Sequence, residues 1–341
     1  MEYTGKRRLK VAVLGGGSFG TALANIVACN GHDTHIWFRS PERANETRRT
    51  GENSVYLPGY HLNPSLNITS NLPSTLSGAD VVVIAIPSKS YRQVVRDAAP
   101  HIGQGAILVS ATKGIESPNF TLMSDILEEE IEGVTAAVLS GPNFAKEVIE
   151  NQFTGSVIAC ADKRVLEVIP PVFSSDTFRL YTNHDRFGVE LAGALKNIYA
   201  MVTGMAAALG CGCNTQAMVL TRSLTEMGRF VERLGGDPMT LLGLAGVGDL
   251  ILTCTSSLSR NYRVGYAIGS GRTLEDILEE MGQVAEGVNT LKVVNHKANE
   301  LGVVMPMVHA LHDVFFDDQD ISKVIQGLMT SKMTTDVEFR T

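Results

Sequence analysis

Lys196 and Asn197 stand side by side within the apolar run ELAGALKNIYAMVTGMAAALG. A lysine in such a helix costs free energy unless its charge finds a partner or water. Gly193 lies one helical turn before both residues and leaves room beside them, through which a ligand can approach the ammonium. A lysine so placed suits general acid–base work on a carbonyl or hydroxyl. The bland alternative is a lysine whose stem covers apolar surface while its head reaches solvent. A second polar cluster sits in GLAGVGDLILTCTSSLSRNYRVG. There Ser259 is a candidate N-cap, and Arg260 and Asn261 open the helix, a combination suited to holding phosphate. Asp249 either pairs with Lys196 or caps the LILTC segment that follows it.

The stretch VAVLGGGSFGTALANIVACNGH carries Gly15-x-Gly17-x-x-Gly20 directly after a strand-like run and at the start of a helical one. In that context Gly15 permits the tight turn, Gly17 lets the backbone approach a pyrophosphate, and Gly20 lets helix and sheet pack closely. The helix N-terminus adds free N–H groups and partial positive charge. A flexible glycine turn without ligand is the alternative. An NAD-preferring site places an acidic residue about 20 positions further on; here the next strand, DTHIWFRS, ends in Arg39. Arginine grips a 2′-phosphate, so the expected cofactor is NADP(H) ahead of NAD(H). Otherwise Arg39 is a solvated charge that only stacks on adenine. Three further strand-like runs end in polar turns: Pro87-Ser88, Thr112-Lys113-Gly114 and Ser140-Gly141-Pro142-Asn143.

Positioning these residues requires strands that bring the turns to one edge, because ligands of doubly wound sheets bind at the strands' carboxyl ends. Strand-like runs fall at Lys10–Leu14, Asp33–Phe38, Val81–Ile86, Ala106–Ser110, Ala136–Leu139, Gly155–Cys160 and Thr177–Tyr181. Several are continuous apolar runs, the mark of strands covered on both faces. Helical patterns alternate with them, which predicts βαβ units. The segment between the second and third runs reads as a long polar connection. Beyond about residue 184 only helical patterns continue. The expected architecture is therefore α/β: an N-terminal Rossmann-type doubly wound sheet over residues 1–188, then a mostly α-helical substrate and catalytic domain over 189–341.

Length and composition agree with this. A chain of 341 residues, 44% apolar and 19% charged, is that of an ordinary two-domain globular protein. The net charge of −7 argues against nonspecific nucleic-acid or anionic-membrane binding. Five scattered cysteines predict no disulfide framework, and Cys211 and Cys213 read as small packing residues rather than metal ligands. Neither a signal-peptide core nor an uninterrupted apolar stretch of about 20 residues is present, so a cytoplasmic protein without bound metal or membrane insertion is expected. The tail SKMTTDVEFRT has no strong pattern.

Taken together, GGGSFGTALA, IPSKSYRQV, SATKGIE, LSGPNFAKEV, ELAGALKNIYAMVTGMAAALG, GLAGVGDLILTCTSSLSRNYRVG and VAEGVNT resemble bacterial-type sn-glycerol-3-phosphate dehydrogenase [NAD(P)+], in order from about residue 10 to about residue 315. The resemblance implies interconversion of dihydroxyacetone phosphate and sn-glycerol 3-phosphate, feeding phospholipid synthesis. It implies Ser18 and Phe19 beside the pyrophosphate, Arg39 at the adenosine end, and Lys113 touching cofactor and substrate. Gly141 and Asn143 would border the substrate and Ala145 the cofactor; the family often has serine where Asn143 stands. Lys196 matches the general acid/base. Asp249, Ser259, Arg260 and Asn261 match the substrate set, Arg260 also reaching the dinucleotide, and Val284 and Glu286 match cofactor contacts. Two rivals stay open at this level: a 3-hydroxyacid or 6-phosphogluconate type dehydrogenase, and a dinucleotide-sensing protein without turnover. The apolar, Met-containing helical region makes a homodimer the expected assembly.

Overall fold

The computed structural model describes residues 8–281, 286–317 and 319–330. The chain divides into two compact units, one of residues 1–112 and 122–186, the other of 113–121 and 187–341.

The first unit is built on eight strands: β1 (Lys10–Leu14), β2 (Asp33–Trp37), β3 (Asn67–Thr69), β4 (Val81–Ile84), β5 (Ile107–Ser110), β6 (Ala136–Ser140), β7 (Thr154–Ala159) and β8 (Phe178–Asn183). They form one sheet in the order β8-β7-β6-β5-β4-β1-β2-β3. Neighbours pair in parallel except β6 and β7. This is the expected Rossmann-type doubly wound sheet, with strand direction reversing once, between β6 and β7. β3 lies inside the segment read as a polar connection; with three residues and Ile68 alone buried, it is too short to show alternation.

Seven helices belong to this unit: α1 (Ser18–Cys29), α2 (Pro41–Thr50), α3 (Leu72–Leu76), α4 (Tyr91–Ala98), α5 (Met123–Glu130), α6 (Ala145–Ile149) and α7 (Lys163–Phe173). Successive strand residues divide between two cores, as the two-residue period of a strand requires. Val11, Val13, Val81, Val83 and Val109 pack with Leu23, Val27, Ile169 and Phe173. Ala12, Leu14, Val82, Ile84 and Leu108 pack with Tyr91, Val95, Ile126 and Leu127. Helices thus cover both faces, which is why these strands read as unbroken apolar runs.

The second unit is mainly helical, apart from a two-residue strand at Ile115–Glu116 that pairs with Thr121–Leu122: α8 (Arg186–Ala208), α9 (Cys213–Arg233), α10 (Asp249–Thr255), α11 (Arg260–Gly269), α12 (Leu274–Met281), α13 (Glu286–Leu301), α14 (Pro306–Phe316) and α15 (Ile321–Met329). Helices α8 and α11 touch backbone to backbone: a Cβ on Gly204 would lie 2.0 Å from the Tyr262 carbonyl oxygen, and one on Gly265 would lie 1.9 Å from that of Met201. Two glycines therefore set how closely the helix of Lys196 approaches the helix of Arg260. The N-terminus of α14 is capped at long range, since Glu226 on α9 accepts the Met307 N–H at 2.8 Å and the Tyr199 hydroxyl at 3.3 Å. Burial raises the Glu226 carboxyl to about 7. Cys211 and Cys213 are exposed, which corrects their reading as packing residues; they flank the turn into α9 rather than a helix face. No helix among the described residues is long and apolar enough to cross a membrane.

Candidate active site

At the end of β1 the chain turns through the three glycines into α1. Gly15 has φ +128°, a conformation that favours glycine. A Cβ on Gly20 would fall 2.1 Å from the Gly15 carbonyl oxygen, so only glycine lets α1 start this close to β1. Around a Cβ position on Gly17 the space is open to 4 Å, which leaves that backbone free to be approached. Gly17 is the N-cap and supplies no side-chain cap, so the first amides of α1, those of Ser18, Phe19 and Gly20, remain available to an anion, before the Thr21 N–H closes the first helical bond to the Gly17 carbonyl oxygen. These features fit a dinucleotide pyrophosphate.

A further residue holds this turn and was absent from the sequence reading. Asn53, buried, donates from Nδ2 to the Gly16 carbonyl oxygen and to Thr21 Oγ1, both at 2.9 Å. It comes from a connection with no periodic pattern, so nothing local marks it. Arg39 is exposed just after β2, and Ser40 caps α2 by accepting the Arg43 N–H.

At the other strand ends, Thr112 follows β5 and donates to the Ile86 carbonyl oxygen at 2.8 Å. Gly141 follows β6 with φ +126°, and a Cβ there would lie 3.1 Å from Ser156 Cα. Asn143 donates from Nδ2 to Ser156 Oγ at 2.9 Å, so part of its amide is already committed to β7. Ala145 opens α6.

In the helical unit, Lys196 and Asn197 are both buried on α8. Lys196 does not snorkel; it is 5% exposed. Its ammonium donates to Asp249 Oδ1 and, at 2.7 Å, to Thr253 Oγ1. Asp249 is 1% exposed. Its other oxygen takes Lys113 Nζ at 2.6 Å, so one carboxylate bridges two ammonium groups. Asp249 is the first residue of α10 and follows a π-turn over Leu244–Gly248. A carboxylate in a first helical turn is favoured by the helix dipole. Thr253 sits four residues later on the same face, a spacing that could have flagged it beside Asp249.

Burial pulls the Lys196 ammonium down to about 7; the Asp249 carboxylate opposes this and Lys113 adds to it. A lysine poised there can give or take a proton near neutral pH. Cys254, next to Thr253, is buried and its thiol is raised to about 12, so it is no nucleophile. Ser259 caps α11 by accepting the Tyr262 N–H at 3.2 Å. Arg260 is exposed at the first position of that helix, and Asn261 is buried behind it. Asn261 Nδ2 donates to Asn197 Oδ1 at 2.9 Å. Glu286 opens α13; Val284 lies outside the described residues.

Residues 10–166 match the family described as NAD-dependent glycerol-3-phosphate dehydrogenase N-terminus, and residues 185–326 match its C-terminus. A glycerol-3-phosphate dehydrogenase [NAD(P)+] of Teredinibacter turnerae is 61% identical, the match covering 97% of this chain and 98% of that one. Its counterpart in Saccharophagus degradans is 60% identical, over 97% and 92%. Among solved structures, glycerol-3-phosphate dehydrogenase from Coxiella burnetii superimposes with a TM-score of 0.91 at 34% identity, covering 95% of this chain and 99% of that one.

Proposed function

This chain belongs to the NAD-dependent glycerol-3-phosphate dehydrogenase family, and from that premise we propose how its residues divide the work. The enzyme interconverts dihydroxyacetone phosphate and sn-glycerol 3-phosphate with a nicotinamide cofactor. When bound, the nicotinamide supplies the hydride donor or acceptor. The glycine turn at Gly15, Gly17 and Gly20, with the first amides of α1 at Ser18 and Phe19, holds the pyrophosphate. Arg39 grips a 2′-phosphate, which favours NADP(H). Ala145, Glu286 and Val284 complete the cofactor contacts.

Lys196 is the acid and base. In reduction, its protonated form donates to the carbonyl oxygen while C2 takes the hydride, which stabilises the developing alkoxide. In oxidation, the neutral amine removes the hydroxyl proton. Asp249 holds Lys196 in place, and Lys113 adds positive charge suited to an anionic substrate. Arg260 and the N–H groups at the start of α11, capped by Ser259, bind the phosphate remote from the reacting carbon and so orient it. Asn261, Gly141 and Asn143 complete the substrate contacts.

The observation that carries this reading is the Lys196–Asp249–Lys113 bridge, two lysines on one buried carboxylate, with Lys196 buried and Lys113 part-buried. A homodimer belongs to the same proposal, supported by the exposed Met239 and Leu242; so do a cytoplasmic location and the supply of phospholipid synthesis. The test is a substrate panel with NADPH and with NADH. Reduction of dihydroxyacetone phosphate, but not of oxidised hydroxyacids, supports the reading; tight NADPH binding without turnover of any phosphorylated ketone defeats it.

A further inference from the structure

The first turn of α13 meets the two asparagines through a backbone group. The Gly287 N–H donates to Asn261 Oδ1 at 3.1 Å in a buried position. A backbone N–H can only donate, so the amide oxygen of Asn261 must face Gly287. The NH2 group of Asn261 is thereby turned to Asn197 Oδ1, 2.9 Å away. The oxygen of Asn197 is in turn consumed, and its own NH2 points away from the pair. One backbone amide thus dictates the polarity of two side chains in series. Reversing either amide would set donor against donor at a buried site, at a cost of about 1–3 kcal/mol.

Gly287 is also the residue type this contact demands. A Cβ there would lie 2.7 Å from Asn261 Oδ1 and 2.9 Å from the Asn197 carbonyl oxygen. Any side chain would push α13 away and take the N–H with it. Asn197 directly follows Lys196 on α8, and the substrate proposed above presents phosphate and carbonyl oxygens, which accept hydrogen bonds. What such a ligand needs from Asn197 is an N–H, and the relay supplies that orientation.

We infer that Gly287 is a positioning residue: its N–H, acting through Asn261, orients Asn197 so that it offers a hydrogen-bond donor to the phosphorylated substrate. The inference rests on the proposed reaction. Its test compares wild type with Gly287→Ala and Asn261→Asp, measuring KM for dihydroxyacetone phosphate, KM for NADPH and kcat, with thermal unfolding as the check on folding. Gly287→Ala displaces the donor without adding charge. Asn261→Asp keeps the acceptor for Gly287 but removes the N–H to Asn197, so Asn197 reverses and presents its oxygen.

Both variants should raise KM for dihydroxyacetone phosphate roughly tenfold, equivalent to about 1.4 kcal/mol, while KM for NADPH changes less than twofold in Asn261→Asp and by less than the substrate KM in Gly287→Ala, which also shifts the neighbouring Glu286. In Asn261→Asp the deficit relative to wild type should shrink at acidic pH, where the new carboxyl regains a proton to donate. If Gly287→Ala does not fold, Asn261→Asp is repeated in an Asn197→Ala background: the relay predicts no further rise in KM for dihydroxyacetone phosphate there, and a further rise of the same size overturns it. The inference is overturned if the folded variants keep a wild-type KM for dihydroxyacetone phosphate, or if both KM values rise in parallel with a fall in Tm. Failure of wild type to reduce dihydroxyacetone phosphate would instead overturn the reaction itself.

Discussion

Asp249 binds Lys196 through one carboxylate oxygen and leaves the other for a second lysine. The pair is therefore not electrically closed. With Lys113 included, the cluster is net positive when Lys196 is protonated and neutral when it is not, so the lysine can exchange its proton without leaving Asp249 as a lone buried charge.

That arrangement gives the pH dependence a direction. Ketone reduction needs protonated Lys196 and should fall as pH rises through about 7; alcohol oxidation should rise over the same range. Asp249→Asn removes the group that raises the Lys196 pKa and leaves burial and Lys113, which lower it, so the inflection should move to more acidic pH. Lys196→Ala should cost about 10²–10⁴-fold in kcat with dinucleotide binding kept. The kcat and kcat/KM profiles in both directions check this, and a folded Lys196→Ala protein with near-normal turnover would refute the assignment.

Arg39 is exposed and carries no capping duty, which falls to Ser40. Its removal should therefore leave the fold alone. Arg39→Ala is expected to raise KM for NADPH about tenfold or more and to leave NADH kinetics within about twofold, as loss of a charge-assisted pair to one phosphate predicts. Equal losses with both dinucleotides would show that Arg39 does not read the 2′-phosphate.

Asn53 ties a distant connection to the glycine turn through two hydrogen bonds. Asn53→Ala leaves the Gly16 carbonyl and Thr21 hydroxyl without it, and should destabilise the protein by about 1–3 kcal/mol. The turn would loosen, so KM for the dinucleotide should rise severalfold while kcat at saturation holds. Denaturant unfolding and initial-rate kinetics measure the two effects; an unchanged dinucleotide KM would assign Asn53 to stability alone.

Glu226 contributes a pH-dependent term to stability. Its folded carboxyl is raised from 4.5 to about 7. Between those values the folded state keeps a proton that the unfolded state has released, so this contribution is present below about 4.5 and is lost as pH rises through about 7. Glu226→Gln has no proton to lose, and its stability should decline less than that of wild type from pH 5 to 8. Unfolding midpoints across that range test the sign, and parallel curves would count against it.

How far the sequence led depends on whether a feature is local. The runs VAVL and VVVI alternate between two cores only once the sheet exists, but their unbroken apolar character already marks strands covered on both faces. Lys196, Asp249 and Ser259 stood out because each is an unusual residue for its immediate surroundings. Asn53, Glu226 and Gly287 did not. Each makes its decisive contact with a segment far away in sequence, and no local period or spacing encodes such a pairing. Thr253 lies between these cases, since its four-residue spacing from Asp249 was readable but gained meaning only once Lys196 was placed. The antiparallel entry of β7 was hidden for a similar reason: direction in a sheet is a property of neighbours, not of a strand's own residues.

The buried thiol of Cys254 has a consequence apart from catalysis. Cys160 is the corresponding concealed thiol of the sheet unit, and Cys29, Cys211 and Cys213 lie exposed. A thiol reagent would consume the three exposed groups at once and then wait. Cys254 reacts only when the floor beneath Lys196 opens, and Cys160 only when the sheet unit does. The slow phases of such labelling would serve as two separate clocks, one for each unit, and a ligand that stilled one clock but not the other would reveal which unit it holds shut.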